Sequence, residues 1–213
     1  MNNKLITILV DNDSWILGYA EELVDKIQLL GFHAKLVRDQ EQVEPGWVNF
    51  MLGCVKIVSL DVLRRNKHNL VVHESNLPKG KGFAPMSWQI LQGNTEIPIC
   101  LLEAEQQVDS GKIWLRDIIE LNGTELCDEW RNLQGVKTIE ICFKFLVEYE
   151  NLTPCQQVGE ESFYRRRGSS DSELDINKSI KEQFNLLKIT DNNDYPAFFE
   201  INGIRYKLGI SKL

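Results

Sequence analysis

The chain has 213 residues, of which 43% are hydrophobic and 26% are charged, and its formal net charge at pH 7 is -7. This length suits one large domain with at most a small appendage, and it allows a sizeable apolar core without disulfides or metal. The composition argues against disorder and against a fibrous repeat. The negative charge argues against a protein that coats nucleic acid without sequence preference.

The hydrophobic pattern shows neither a membrane span nor a signal peptide. No apolar run approaches the ~20 residues that cross a bilayer, and the first run ends at Val10 and meets Asp11 at once. The five cysteines are widely spaced and include no CxxC pair, so we expect buried free thiols rather than disulfides or a zinc site. Together these features predict a cytoplasmic protein.

The first part of the chain alternates predicted strands and helices. Residues 5–10 form a β-branched run typical of a strand that is buried on both faces. A helix with apolar spacing follows from Ala20 to Leu30 and ends at Gly31. Further strands are predicted at 34–37, 50–54, 69–72, 98–102 and 113–115, with a helix at 86–91. This order predicts an α/β fold with a doubly wound, Rossmann-like, mostly parallel sheet.

The pattern changes near residue 150. Before that point we predict helical stretches at 126–133 and 139–146. Residues 151–175 are polar and lack periodicity, so we interpret them as a loop that crosses the surface. A helix at 180–188 follows, and then a hairpin of 197–201 and 204–210 around Asn202-Gly203, a strong hairpin signal. We therefore divide the chain into an α/β domain (1–150) and a C-terminal extension (151–213) of loop, helix and hairpin.

The segment from His73 to Gly82 carries residue types that support chemistry. It follows a predicted strand, at the sheet edge where ligands bind in open α/β folds. A histidine there can move protons near neutral pH, glycines let the backbone approach a ligand, and Lys79 and Lys81 can meet phosphates. Asp109 also follows a strand, and its carboxylate can orient His73 and hold its charged form. From the residues alone, purely structural roles stay open for both His73 and Asp109.

The wider pattern resembles a known family. The residues that match it are His73-x-Ser75-x-Leu77-Pro78, Gly82-Phe83-Ala84-Pro85, Trp88, Gly93 and Asp109-x-Gly111-x-Ile113. They resemble the formyltransferases that use 10-formyltetrahydrofolate, which include methionyl-tRNA, glycinamide ribonucleotide and nucleotide-sugar enzymes. The agreement covers about 45 positions, and a weaker resemblance covers the rest of the first 150 residues.

The chain departs from the family pattern at two places. Val71 stands where the family has a catalytic Asn that helps to hold the developing oxyanion, and Asp11–Trp15 replaces a first loop marked by glycine. Loss of one oxyanion donor typically costs about 100- to 1000-fold in rate. Val71 therefore implies another donor, such as Asn12 or Asn94, a lower rate, or an inactive chain.

The C-terminal third is similar to the corresponding region of sugar N-formyltransferases. There, a tyrosine and arginine run (163–167) precedes an acidic segment, a helix and the Tyr195–Phe199 segment. Together with Asp11–Trp15 and His73–Ser75, it most resembles the small enzymes of pseudaminic acid biosynthesis, which act on a UDP-linked 4-amino-4,6-dideoxy sugar. The short, acidic chain weighs against a tRNA substrate. From the residues alone, the arginines fit a solvated loop and the aromatics a hairpin core equally well.

The resemblance implies a set of site residues. His73 and Asp109 would be catalytic: the ring accepts the amine proton or stabilises the oxyanion, and the carboxylate orients the ring and relays a proton through water to the leaving nitrogen. Cofactor contacts are expected from Val55, Lys56, Ile57, Val58, Gln106, Gln107 and Val108. Contacts to the nucleotide sugar are expected from Asp13, Trp15, Glu74, Ser75, Lys79, Lys81, Gly82, Arg165, Arg166, Arg167, Tyr195 and Phe198.

The implied formyl donor is 10-formyltetrahydrofolate, and no metal is implied. The implied acceptor is a nucleotide sugar, with UDP favoured over dTDP, and we expect neither nucleic-acid nor membrane partners. We expect a possible homodimer through the helix near 138–147 or through the hairpin. Three alternatives stay open: another amine acceptor, a formyltetrahydrofolate hydrolase, and a non-catalytic binder of folate or nucleotide sugar. A nicotinamide enzyme is disfavoured because no GxGxxG follows the first strand.

Overall fold

A six-stranded sheet forms the centre of the chain, which a computed structural model describes over residues 4–213. Its strands lie in the order β2-β1-β3-β4-β6-β7, and the two-residue β5 (Lys81–Gly82) lies outside it. The first four strands are parallel, whereas β6 runs antiparallel to β4 and β7 antiparallel to β6. This confirms the predicted α/β, mostly parallel sheet. The strands are β1 Leu5–Leu9, β2 His33–Val37, β3 Gly46–Met51, β4 Asn66–His73, β6 Glu96–Glu103 and β7 Ile113–Glu120.

Helices cover the sheet and bury its apolar side chains. They are α1 Leu17–Leu29, α2 Leu60–Leu63, α3 Pro85–Leu91, α4 Cys127–Glu148 and α5 Phe184–Lys188. The main core packs Ile8 and Phe50 of the sheet against Leu23 of α1 and Phe145 of α4, all without solvent exposure. A second cluster lies around Met86 and Ile90 of α3. Burial on this scale contributes ~25 cal/mol per Å² of apolar surface and fixes the strand ends in space.

The helix α4 is longer than the sequence pattern predicts. The two expected stretches, 126–133 and 139–146, form one helix of 22 residues. Gly135 lies within it, against the ring of Tyr19 on α1, and a Cβ there would stand 2.6 Å from that ring. The glycine therefore lets two helices approach closely and does not end the helix.

The third strand and the last helix differ from the predicted ranges. The predicted strand at 50–54 begins earlier, at Gly46, and ends at Met51. Beyond it, Gly53 takes a positive φ of 61° and turns the chain out of the sheet. The predicted helix at 180–188 is helical only from Phe184, because Gln183 accepts a hydrogen bond from the Asp175 amide instead of joining a longer helix.

The C-terminal part packs onto the sheet domain through short elements. The surface loop contains a two-residue strand, β8 (Phe163–Tyr164), that pairs in parallel with β5, and a 3₁₀ turn at Ser169–Ser172. The hairpin of β9 (Ala197–Ile201) and β10 (Ile204–Leu208) confirms the prediction, with positive φ at Asn202 and Gly203. The boundary at residue 150 stays a proposal.

Two predicted surfaces for a homodimer differ in exposure. The helix face near 138–147 packs into the core with most of its apolar residues, such as Ile139 and Phe145. The hairpin, in contrast, leaves Ile201, Ile204 and Tyr206 exposed. A homodimer therefore stays a prediction for the hairpin surface.

The cysteines are free, but the prediction that they are buried is wrong for two of them. Cys100, Cys127 and Cys142 are buried, whereas Cys54 is half-buried and Cys155 is exposed. Cys155 lies on the surface, where its backbone forms an isolated antiparallel bridge to Ile113 of β7. Within residues 4–213, no helix has the length and apolar character needed to cross a membrane.

Candidate active site

A cleft of about 850 Å³ opens where β3 and β4 end. One wall is the loop after β3, a second is the loop between β6 and β7, and a third is the segment around β8. Ligands bind at such strand ends in open α/β sheets, because the connecting loops diverge there. Its lining includes Met51, Val55, Lys56, Val71, His73, Glu74, Gln106, Val108, Asp109, Arg131, Tyr164, Arg165, Arg166, Arg167 and Tyr195.

His73 and Asp109 meet at the floor of this cleft. His73 Nδ1 lies 3.6 Å from Asp109 Oδ1, and the two side chains are only 7% and 8% exposed. His73 Nε2 lies 2.8 Å from the Gly80 oxygen. A carbonyl oxygen only accepts hydrogen bonds, so Nε2 carries a proton and donates it. Both ring nitrogens thus face oxygen atoms, Nε2 at hydrogen-bond distance and Nδ1 at 3.6 Å, beyond that distance.

The loop between β6 and β7 holds Asp109 in an unusual backbone conformation. Its φ is 55°, and its Oδ2 accepts a hydrogen bond of 2.8 Å from the Gly82 amide. Gln157 Nε2 donates to the Asp109 and Gly111 oxygens at 2.8 and 2.9 Å. A Cβ at Gly111 would lie 1.9 Å from the Glu103 oxygen, so a larger residue does not fit there. The Asp109-x-Gly111 spacing is explained by this turn.

Glu74 adds a second carboxyl group beside His73. It is half-buried and lines the cleft, and Gln89 Nε2 donates to its backbone oxygen at 2.6 Å. Burial raises the pKa of Glu74, and the charge of Asp109 adds to this, whereas His73 and the amide of Gln134 oppose it.

The Asp11 carboxylate holds the loop after β3 through hydrogen bonds to its backbone. This carboxylate accepts hydrogen bonds from the amides of Val55 and Lys56, at 3.0 and 2.8 Å. Exposed apolar side chains at Val55, Ile57 and Val108 border the cleft, as expected of a surface that a ligand covers. Of the seven residues predicted to contact folate, the cleft is lined by Val55, Lys56, Ile57, Val58, Gln106 and Val108, but not by Gln107.

The arginines at 165–167 all line the cleft, and aromatic rings and Asp171 lie against them. The Arg165 guanidinium lies 5.0 Å from the centre of the Trp88 ring and forms a bidentate pair with Asp171, with Nη1 to Oδ2 at 2.7 Å. Arg165 lowers the pKa of Asp171 to about 2. Arg166 lies 5.8 Å from the centre of the Phe83 ring, and Arg167 Nη2 donates to the backbone oxygen of Asp171 at 3.0 Å.

Lys81, which is predicted to meet a diphosphate, lines the cleft but is already paired. Its side chain is 2% exposed, and its Nζ pairs with Glu161 Oε1 at 2.5 Å. Gly82, also predicted, lines the cleft and pairs with Tyr164 of β8. A Cβ at Gly82 would lie 2.4 Å from the Tyr164 oxygen. The lysine and glycine thus tie the segment around β8 to the floor of the cleft.

Several other predicted substrate contacts lie outside the lining of the cleft. Asp13 is exposed and pairs with Arg38 at 2.8 Å. Ser75 is buried, with no hydrogen-bond partner for its hydroxyl among the described residues. Lys79, Trp15 and Phe198 also lie outside, since Lys79 faces solvent, Trp15 packs beside Tyr19, and Phe198 belongs to the hairpin. Tyr195 and Glu74 do line it.

The proposed replacements for the family's Asn do not reach the cleft. Val71 lines it and packs against apolar neighbours such as Leu102. The amide of Asn12 donates to the Gly53 oxygen at 2.8 Å and to Asp11, and neither Asn12 nor Asn94 belongs to the lining. The cleft therefore has no side-chain amide at the position of Val71.

Sequence reasoning missed some residues of the site. Arg131 on α4 lines the cleft and pairs with Asp191 just before the hairpin. Gln157 and Gln134 support Asp109 and Glu74. None of these lies in a motif, and only the fold brings them near His73. In the part of the chain that the structure describes, no group of three or more His, Cys, Asp or Glu side chains is arranged to hold a metal ion.

Sequence comparison finds relatives for much of the chain. Residues 31–132 match the family model described as formyl transferase. The methionyl-tRNA formyltransferase of Mycoplasma capricolum is 24% identical over 171 residues, which cover 78% of this chain and 54% of the relative. The chain thus spans about half the length of the curated relatives it matches.

Structure comparison extends the similarity to nearly all of the chain. Methionyl-tRNA formyltransferase from Clostridium thermocellum superimposes with a TM-score of 0.82 at 16% identity, covering 99% of this chain and 93% of the other. A 4-N formyltransferase from Francisella tularensis gives 0.74 at 16% identity and covers 99% of both. HypX from Aquifex aeolicus in complex with tetrahydrofolic acid gives a TM-score of 0.79 at 14% identity, and the match covers 98% of this chain and 38% of HypX. At identities of 14–16%, these similarities show that the chain shares the fold of these proteins, and the formyl transferase family model matches residues 31–132 within that fold.

Proposed function

We propose that this chain transfers the formyl group of 10-formyltetrahydrofolate to the amine of a nucleotide-linked amino sugar. The observation that carries the proposal is the buried His73–Asp109 pair at the floor of an 850 Å³ cleft. A UDP-linked 4-amino-4,6-dideoxy sugar, as used in pseudaminic acid biosynthesis, is the first candidate acceptor.

The walls of the cleft suit the formyl donor, which is a substrate of this reaction. A pterin is a flat ring with a hydrogen-bonding edge, and the loop after β3 offers backbone groups beside exposed Val55 and Ile57. Gln106 and Val108 border the same space from the opposite loop. We propose that these two loops hold the folate and that Lys56 lies near its acidic tail. The similar HypX structure, which is a complex with tetrahydrofolic acid, supports a folate as the donor.

His73 and Asp109 supply the electrostatic part of the proposed mechanism. We propose that His73 stabilises the negative charge that develops on the formyl oxygen. Asp109 Oδ1 faces one ring nitrogen and the Gly80 oxygen accepts a hydrogen bond from the other, so the ring is held in place. Of the two roles that the family resemblance implies for His73, stabilisation of the oxyanion therefore fits this geometry better than acceptance of the amine proton.

The acceptor side of the cleft suits a diphosphate linked to a sugar. Arg165, Arg166 and Arg167 lie together on one wall. Asp171 holds Arg165 and Arg167, so the Arg166 guanidinium is the one best placed to bind phosphate oxygens through two parallel hydrogen bonds. Arg131 and Tyr195 border the same end. A sugar N-formyltransferase from Shewanella sp FDAARGOS_354 matches 98% of this chain and 97% of its own length, which supports a sugar acceptor.

The proposal is tested by incubating the protein with 10-formyltetrahydrofolate and a panel of UDP- and dTDP-linked amino sugars. Mass spectrometry should show one added formyl group on a single member of the panel. Formate release without any formylated product would instead favour a formyltetrahydrofolate hydrolase. Neither product, with both ligands bound in a calorimeter, would favour a non-catalytic binder and would direct attention to Val71.

A further inference from the structure

We propose that Glu74 binds the acceptor's ammonium group and takes the proton that must leave before the amine can attack. This inference rests on the proposed function and gives Glu74 a chemical role within it. The acceptor amine is protonated near neutral pH, and a protonated amine has no lone pair with which to form a bond. A group in the cleft must therefore remove one proton before the amine can attack.

His73 is poorly placed to accept that proton. Its Nε2 donates to the Gly80 oxygen at 2.8 Å, and its Nδ1 faces the Asp109 carboxylate at 3.6 Å. Neither nitrogen offers a lone pair to the open part of the cleft. A different group must therefore act as the base for the acceptor amine.

Three of the other four carboxylates of the cleft already face partners, and the fourth lies on the donor side. Asp109 Oδ2 accepts a hydrogen bond from the Gly82 amide, and its Oδ1 faces His73 Nδ1 at 3.6 Å. Glu103 accepts hydrogen bonds from an indole, an imidazole and a backbone amide. Asp191 pairs with an arginine and caps two backbone amides, and Glu105 is exposed on the loop where we propose the donor binds.

Glu74 is the carboxylate that stays available. Within residues 4–213 no lysine or arginine forms an ion pair with it, and the amide of Gln134 is a nearby polar group that lowers its pKa only in part. It follows His73 directly in the chain and borders the cleft. Burial raises the pKa of Glu74, which makes it a better proton acceptor than an exposed carboxylate.

The proposed step is balanced in protons and electrons. The acceptor enters as R–NH₃⁺ and gives one proton to Glu74. The freed lone pair forms the N–C bond to the formyl carbon, and the C=O electron pair moves onto oxygen beside His73. When that pair returns, the bond from carbon to the donor nitrogen breaks, and this nitrogen takes the second amine proton. Glu74 then releases its proton to water, leaving the formamide, tetrahydrofolate and one proton.

The test compares Glu74→Gln with the wild-type protein across pH, using the nucleotide sugar that the wild type formylates. At pH 7 we expect kcat/KM for the acceptor to fall by roughly 100-fold or more, a usual range for loss of a general base. The deficit should shrink as the pH rises, because the acceptor then arrives without its extra proton. Glu74→Asp should recover part of the rate, since it keeps a carboxylate.

Two controls separate this role from a structural one. Glu21→Gln removes the same charge from an exposed position on α1 outside the cleft, and it should leave kcat/KM unchanged. Tetrahydrofolate should bind Glu74→Gln with wild-type affinity by calorimetry. A deficit that is equal at every pH, or a Glu74→Gln enzyme with wild-type rates, would overturn the role of Glu74. A wild-type protein that formylates no member of the panel would overturn the proposed function instead.

Discussion

Two walls of the same cleft are built in different ways. The wall that carries His73 and Asp109 belongs to the central sheet and its loops, where β4 pairs with β3 on one side and with β6 on the other. The wall that carries Arg165–Arg167 has only two residues of strand pairing, between β5 and β8. Its shape depends on side chains instead: arginines on aromatic rings, Lys81 with Glu161, and Arg165 with Asp171.

The difference indicates which wall fixes the geometry of the reacting groups and which wall can vary its side chains. Reacting groups need fixed geometry, which a sheet provides through many cooperative hydrogen bonds. A wall held by side chains can change its arginines and aromatic rings without disturbing the core, so it suits the recognition of different acceptors. The following predictions test whether the first wall controls rate and the second controls affinity and local stability.

The largest effect is expected at His73. His73→Ala removes the ring that we propose stabilises the formyl oxygen, so kcat should fall by roughly 10²- to 10⁴-fold with saturating donor. Binding of tetrahydrofolate, measured by calorimetry, should change little, since we propose that the two loops hold the donor. Wild-type turnover by this variant would show that the sheet wall does not carry the chemistry.

A gain of activity is expected at Val71. Val71→Asn places an amide on β4, two residues before His73, where the cleft has none, and should raise kcat by up to ~100-fold, by analogy with oxyanion donors elsewhere. Val71→Leu keeps the apolar character and serves as the control, with no expected gain. If the two variants are equally active, the oxyanion is held by another group and Val71 is not the limiting residue.

A smaller effect on the second wall is expected at Gly82. Gly82→Ala combines a φ of 98° with a Cβ 2.4 Å from the Tyr164 oxygen, so it should break the β5–β8 pairing and raise KM for the acceptor. The matched control is Gly203→Ala in the hairpin, where φ is 78° but no atom lies within 4 Å. Backbone strain alone costs about 1–3 kcal/mol and applies to both variants. Urea denaturation should therefore show a larger loss of unfolding free energy for Gly82→Ala than for Gly203→Ala. Equal losses would mean that the β8 contact adds no stability.

The smallest effect concerns pH and the Arg165–Asp171 pair. Because Arg165 lowers the pKa of Asp171 from 3.8 to about 2, this pair stabilises the folded protein above pH 4, and the stabilisation disappears as the pH falls towards 2. The difference in unfolding free energy between wild type and Asp171→Asn should follow the same course. A difference that is constant from pH 6 to pH 2 would show that the pair does not titrate in this way.

The parts of the fold that follow from local pattern were predictable, and the parts that depend on distant contacts were not. The run Leu5–Val10 and the Asn202-Gly203 turn specify strand and hairpin from neighbouring residues alone, and both are present. The continuity of α4 across Gly135 depends on a ring of α1, more than a hundred positions away in sequence. No periodicity in α4 reveals that partner.

The site shows the same division. His73 and Asp109 stand in motifs at strand ends, and the structure brings them to 3.6 Å. Lys81 has the charge expected for a phosphate contact, yet Glu161, 80 positions later, neutralises it. The pairing of Arg131 with Asp191 likewise joins a helix to the start of the hairpin. Tertiary packing determines these partners, and neither the type of a residue nor its neighbours in the sequence predict them.

The pairing of β5 with β8 has a consequence for synthesis. The Gly80 amide bonds to Ser162, 82 positions later, so the chain up to residue 150 can complete its sheet while one side of the cleft is still missing. Contacts between distant parts of a chain form late, and during translation the N-terminal part folds first. Since Arg165–Arg167 and Tyr195 line the cleft, its lining is complete only after residues up to 195 have left the ribosome, and the nascent chain holds all six sheet strands well before it holds the whole cleft.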